Sequence, residues 1–133
     1  MTFSNLELNN VRITKQRKLI LEELRKVFVH PTAKELHKLI LKKGEEISLA
    51  TIYRTLDFLE KNNLIIKLNP IDKEARYDGN IEKHCHLICE SCSKVFDIFD
   101  SDMQINSKEL SDLGFKPKLE YLEIRGLCKK CSQ

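Results

Sequence analysis

The chain has 133 residues, 41% of them hydrophobic and 32% charged, with a formal net charge of +3. That length allows one domain or two small ones, and the composition is that of a globular protein rather than a disordered or fibrous one. No apolar run approaches the roughly 18 residues of a membrane helix, and Met1-Thr2-Phe3-Ser4-Asn5-Leu6 lacks the basic start and apolar core of a secretory signal, so a cytoplasmic location is expected.

Residues 1–11 read as a short polar helix or arm with Phe3, Leu6 and Leu8 as apolar contacts. Thr14 is a candidate N-cap, and Leu19, Ile20, Leu21, Leu24 and Val27 follow at helical spacing over 14–28. His30-Pro31 breaks that helix. Thr32 and Glu35 match a capping box. Leu36, Leu39, Ile40 and Leu41 carry the second helix to about Lys43, with Gly44 as its stop. Ser48 caps a third helix to about Asn62. Its apolar positions are Leu49, Ile52, Leu56 and Leu59, and its opposite face carries Thr51, Tyr53, Arg54, Thr55 and Asp57. Leu64 to Leu68 is a β-rich run, 69–73 has turn chemistry, and Arg76-Tyr77-Asp78 is the returning strand. Three short helices and a hairpin describe a winged helix-turn-helix, its third helix placed for a major groove. The competing reading is a small α+β domain with no ligand.

Gly79 to Lys83 is polar and reads as a hinge. Beyond it, 86–89 and 94–98 form a hairpin, and Ser101 or Ser107 starts a helix through Leu113 closed by Gly114. Residues 118–124 alternate as a strand and lead through Gly126 to Cys128. The expected class is α+β, with a winged-helix DNA-binding domain at 1–79 and a small metal-binding, dimerising α/β domain at 84–133. Residues 1–80 carry a charge of +4 and residues 81–133 a charge of −1. A basic first half beside a slightly acidic second half suits a nucleic-acid reader joined to an assembly or sensor module.

Cys89-X-X-Cys92 and Cys128-X-X-Cys131 are two pairs at zinc spacing. A closed site of four thiolates is structural, not catalytic. The alternative is a redox-active dithiol, or a redox switch through Cys85, the fifth cysteine. For DNA, Tyr53 and Arg54 on the third helix are the candidate base or backbone contacts, with Ser48 and Thr51 near its start. Lys15 and Arg17 are placed for phosphates, and Lys67 and Lys73 for phosphates from the wing. Nucleobase deaminases carry H-x-E before P-C-x-x-C. Here His84-Cys85-His86 lacks the glutamate and Ile88 replaces the proline, so no enzyme is expected.

Thr14-Lys15-Gln16-Arg17, His30-Pro31-Thr32-Ala33, Ser48 through Leu56, Arg76-Tyr77-Asp78, His84-X-His86-X-X-Cys89-X-X-Cys92 and Cys128-X-X-Cys131 together resemble the ferric uptake regulator (Fur) family, in order along nearly the whole chain. The resemblance implies a dimeric, metal-dependent transcriptional repressor on a palindromic double-stranded operator. The chain is most similar to the peroxide-sensing repressor (PerR) branch, which implies a regulatory metal on His30, Asp78, His84, His86 and Asp97 and oxidation of His30 or His84 by peroxide. On a strand, His84 and His86 face one side, and Asp97 on the paired strand can join them. Such a mixed nitrogen and oxygen set suits Fe(II) or Mn(II), with zinc as the structural ion. Ligands on both sides of the hinge would let the ion favour one domain arrangement. The alternatives are an iron- or a zinc-responsive regulator. A further site common among relatives, near Lys83, Cys85 and Glu120, lacks its usual donors here.

Overall fold

The computed structural model describes residues 13–27, 30–69, 74–82, 84–99 and 107–133. The expected arm at 1–11, most of the wing turn with Lys73, Lys83 and the Ser101 helix start lie outside them. The chain divides into two compact units, Met1–Ile81 and Glu82–Gln133.

In the first unit, α1 (Lys15–Lys26), α2 (Ala33–Lys42) and α3 (Leu49–Lys61) are followed by β1 (Ile66–Leu68) and β2 (Arg76–Asp78). Each helix starts where a hydroxyl can satisfy an unpaired amide. Thr14 accepts from the Arg17 N–H, Thr32 from Glu35 and Ser48 from Thr51. The second half of the predicted capping box does not form; the Glu35 carboxylate lies 3.6 Å from Arg76 instead. Gly44 and Asn63 take the left-handed backbone that closes α2 and α3.

Ile20, Leu21, Leu24, Leu36, Ile40, Ile52, Leu56 and Leu59 form one buried core with Leu64, Ile65 and Tyr77. Two expectations for the helix faces fail. Thr55 is buried against this core rather than on the polar face of α3, and Leu41 is exposed. Both lie beside strongly apolar positions, where a rotation of one residue along the helix changes the face. β1 and β2 pair antiparallel, Ile66 opposite Asp78 and Leu68 opposite Arg76. Arg25 on α1 donates to the carbonyls of Gly79 (3.1 Å) and Leu64 (3.1 Å). Gly79 packs so closely on α1 that a Cβ there would sit 2.9 Å from Arg25 Cγ. The first residue of the predicted hinge is thus held by the helical unit.

In the second unit, β3 (Cys85–Cys89) lies between β4 (Val95–Ile98) and β5 (Leu122–Gly126), with α4 (Ser107–Asp112) between β4 and β5 in the chain. β3 and β4 form the expected hairpin, and β5 runs parallel to β3. The predicted strand at 118–124 is displaced toward the C-terminus. Parallel pairing of Cys85 with Leu122 through Cys89 with Gly126 sets its position, and this register is not visible in local alternation. Gly126, expected as a connector, ends the strand.

Candidate metal centres and nucleic-acid face

Tight turns present both cysteine pairs. Cys89 and Lys94 bracket the first, where the Ser93 N–H donates to the Cys89 carbonyl (2.9 Å). In the second, the Cys131 N–H donates to the Cys128 carbonyl (3.1 Å). The β3–β5 pairing brings the two turns together, so that all four sulfur atoms lie within 4.8 Å of one another. Cys92 Sγ and Cys128 Sγ are 3.8 Å apart. A tetrahedron with zinc–sulfur bonds of about 2.3 Å has edges of about 3.8 Å, so the donor set fits zinc. Backbone N–H groups of Cys92 and Cys128 aimed at Cys89 pull its thiol down to about 6. At Cys131 the Ser91 hydroxyl acts downward, but sharing protons with Cys128 and Cys89 prevails and the thiol stands at about 11. A set of thiols that cannot all ionise side by side is one that a divalent cation completes.

The histidine pair occupies the same sheet. His84 Nδ1 hydrogen-bonds the Glu82 carbonyl, which fixes its tautomer and leaves Nε2 as a lone-pair donor. His84 Nε2 and His86 Nε2 are 2.9 Å apart, and Asp97 Oδ1 lies 3.6 and 3.5 Å from them. Both histidines are buried. Donor separations of this size match the edges, about 3.0–3.4 Å, of a coordination polyhedron with bonds of about 2.1 Å. In the first unit, His30 Nε2 lies 3.3 Å from Asp78 Oδ2, both residues buried. The other Asp78 oxygen accepts from the Asn80 N–H (2.8 Å), and Arg76 donates to the His30 carbonyl (2.8 Å). α1 ends at Lys26, so His30 does not serve its dipole.

Cys85 points away from this cluster, because side chains alternate along a strand. It is fully buried, and burial raises its thiol. A buried thiol with little thiolate is a poor redox switch and packs as a small apolar residue.

On α3, Arg54 is exposed and Tyr53 is 40% exposed. Arg54 donates to Thr51 Oγ1 (3.2 Å), which also accepts from the Ser48 hydroxyl (2.9 Å). Lys15 is exposed, whereas the Arg17 guanidinium lies 3.9 Å over the Phe58 ring, a cation–π contact within the unit. Lys67 is half-buried on β1.

The sequence profile of the ferric uptake regulator family matches residues 8–125. The chain belongs to that family. Its relatives include the peroxide operon regulator of Bacillus subtilis, 35% identical over 129 residues, covering 96% of this chain and 89% of the relative. Among solved structures it is similar to the Pseudomonas aeruginosa ferric uptake regulator with manganese, with a TM-score of 0.76 at 26% identity, covering 96% of this chain and 99% of that one. It is likewise similar to the Campylobacter jejuni peroxide stress regulator, with a TM-score of 0.73 at 28% identity and coverage of 96% of each chain. As a ferric uptake regulator family member, the protein is a metal-dependent transcriptional regulator and not an enzyme.

Sequence reasoning missed two aromatic neighbours of this regulator's histidines. Phe99 stacks on His84, with centroids 4.8 Å apart and planes at 22°, and Tyr121 meets His86 edge-on at 5.8 Å. The hairpin register, which sets 84 opposite 99, was the available signal for the first. The second needed the parallel pairing of β5. No helix among the described residues is long and apolar enough to cross a membrane.

Proposed function

We propose that the protein is a homodimeric repressor that binds a palindromic operator with a metal co-repressor and releases it on peroxide stress. In this reading residues 1–81 form the DNA-binding unit and residues 82–133 the dimerising one. The observation that carries it is the nitrogen and oxygen donor set of His84, His86 and Asp97, preorganised on one sheet face separately from the four thiols. Cys89, Cys92, Cys128 and Cys131 are the ligands of a structural zinc. His30, Asp78, His84, His86 and Asp97 are the ligands of a regulatory Fe(II) or Mn(II).

The surfaces support two partners in this reading. Phe96, Ile98, Leu122 and Ile124 share one face of the sheet by register and are 38%, 41%, 48% and 49% exposed. An apolar face of this kind beside the edge strand β5 is one that a second copy covers. On the first unit, Tyr53 and Arg54 contact bases or backbone, Ser48 and Thr51 support them at the start of α3, and Lys15 and Arg17 meet phosphates.

Iron(II) held by His30, Asp78, His84, His86 and Asp97 would supply the one-electron chemistry that starts peroxide cleavage. In the net reaction the ring of His30 or His84 would give up two electrons and gain one peroxide oxygen at a carbon, the second oxygen leaving as water, and the altered ring would lose its donor geometry. The similarity to peroxide regulators supports this branch. The test is operator affinity with Fe(II), Mn(II) or Zn(II), before and after peroxide, with mass spectrometry of the iron form. An added oxygen on a peptide holding His30 or His84, with loss of DNA binding in iron but not manganese, is expected. Operator release that follows iron or zinc depletion alone, with no adduct, assigns the protein to iron or zinc sensing instead.

A further inference from the structure

The sheet order places an aromatic side chain beside each histidine of the donor set. Phe99 follows β4 and Tyr121 precedes β5, so strands on both sides of β3 contribute one ring each. By register Phe99 continues the β4 row opposite His84, on the face that carries His84, His86 and Asp97 rather than on the apolar face. Its ring lies 4.8 Å from the His84 ring at 22°, an offset stack, while Tyr121 meets His86 at 79°, edge to face. His84 is also hydrogen-bonded through Nδ1 to the Glu82 carbonyl. That bond fixes the tautomer, but the ring can still pivot about it, and the stack opposes the pivot. Phe99 is 59% exposed and Tyr121 41% exposed. Rings with this much exposure gain less from burial than core residues do, and the histidines are the ring partners they contact.

We propose that Phe99 and Tyr121 form an aromatic bracket that holds the two imidazoles in ligating orientation, with Phe99 the stronger positioning residue because its ring is the nearer of the two and stacks on the imidazole plane. The proposal rests on the reading of His84 and His86 as metal ligands. Neither ring is itself a ligand, and the four thiols gather at the Cys89–Gly126 end of the β3–β5 pairing, opposite the end that the rings flank, so zinc content should not change.

The test is titration of zinc-loaded, full-length protein with Mn(II) or Co(II) alone, together with NMR of the His84 ring in protein lacking the second metal. Phe99→Ala should weaken binding about tenfold, the upper end of what a stacked aromatic pair contributes. Its His84 ring signals should lose the upfield ring-current shift, with zinc content and dimer unchanged. Phe99→Tyr, which keeps the stacking face, should restore both. If Phe99→Ala proves unstable, Phe99→Leu keeps the bulk without the aromatic face and should show the same losses. Wild-type affinity in Phe99→Leu or Phe99→Ala, in protein whose His84→Ala variant has lost the metal, overturns the bracket and leaves the site intact. Wild-type affinity in His84→Ala overturns the ligand reading itself.

Discussion

Glu23 shows how one side chain ties the helices together. It is a charged residue in the buried face of α1, with Lys43 Nζ at 2.6 Å and Lys26 Nζ at 3.4 Å. Burial alone would raise its carboxyl, but the two lysines more than offset that and hold it below the ordinary value of 4.5. A depressed carboxyl contributes stability above its unfolded value and loses it as pH falls. Glu23→Gln should therefore cost about 1 kcal/mol near neutral pH, discounted for the exposed lysine ends. The difference from wild type should shrink progressively below 4.5; denaturation followed at several pH values measures it. At Gly79 the constraint is steric. An added methyl group would meet Arg25 Cγ at 2.9 Å and the α1 backbone at 3.1 Å. Gly79→Ala should lower stability by about 1–3 kcal/mol, the cost of overpacking, and loosen the carbonyl that Arg25 holds.

Strand β3, with the residue before it, holds more of the candidate ligands than any other element. Its odd residues Cys85 and Leu87 join the apolar face, while His84, just before it, and His86 share the face with Asp97, and its last residue Cys89 supplies a thiol to the four-sulfur cluster. Zinc at that cluster would link the ends of β3 and β5, with a binding free energy of about 10 kcal/mol or more in small zinc domains. Cys89→Ser, or prolonged treatment with a strong chelator, should give monomeric or insoluble protein, read by sedimentation and zinc analysis. A stable dimer without zinc would remove the structural role. Helix α3 depends on its cap instead. Ser48→Ala removes the acceptor for the Thr51 N–H and the donor to Thr51 Oγ1, and should cost about 1 kcal/mol.

At the scale of the whole molecule, the proposed repressor couples metal binding to DNA binding. If a regulatory ion favours one domain arrangement, as the proposed function requires, a shift from 1:99 to 99:1 needs about 5.5 kcal/mol of differential binding, so losing one proposed ligand should abolish metal-dependent operator binding while leaving the fold intact. Asp97→Ala, with its carboxylate 3.5–3.6 Å from both histidines, should retain zinc and dimerisation but show the same weak DNA affinity with and without Mn(II). Lys15→Ala should weaken every DNA sequence alike and reduce the salt dependence by about one counterion.

The helical starts, the four thiols and the histidine pair were all legible in the chain, because each depends on short-range rules. A hydroxyl reaches the amide three residues on, two cysteines fit one turn, and alternate residues share a strand face. Tertiary structure decided what depends on partners distant in sequence. It moved β5 to Leu122–Gly126 through its parallel register with β3, buried Thr55, anchored Gly79 to α1 through Arg25, and set Phe99 and Tyr121 against the histidines. Local patterning shows which residue can ligate, whereas only the pairing of strands far apart in the chain fixes what surrounds it.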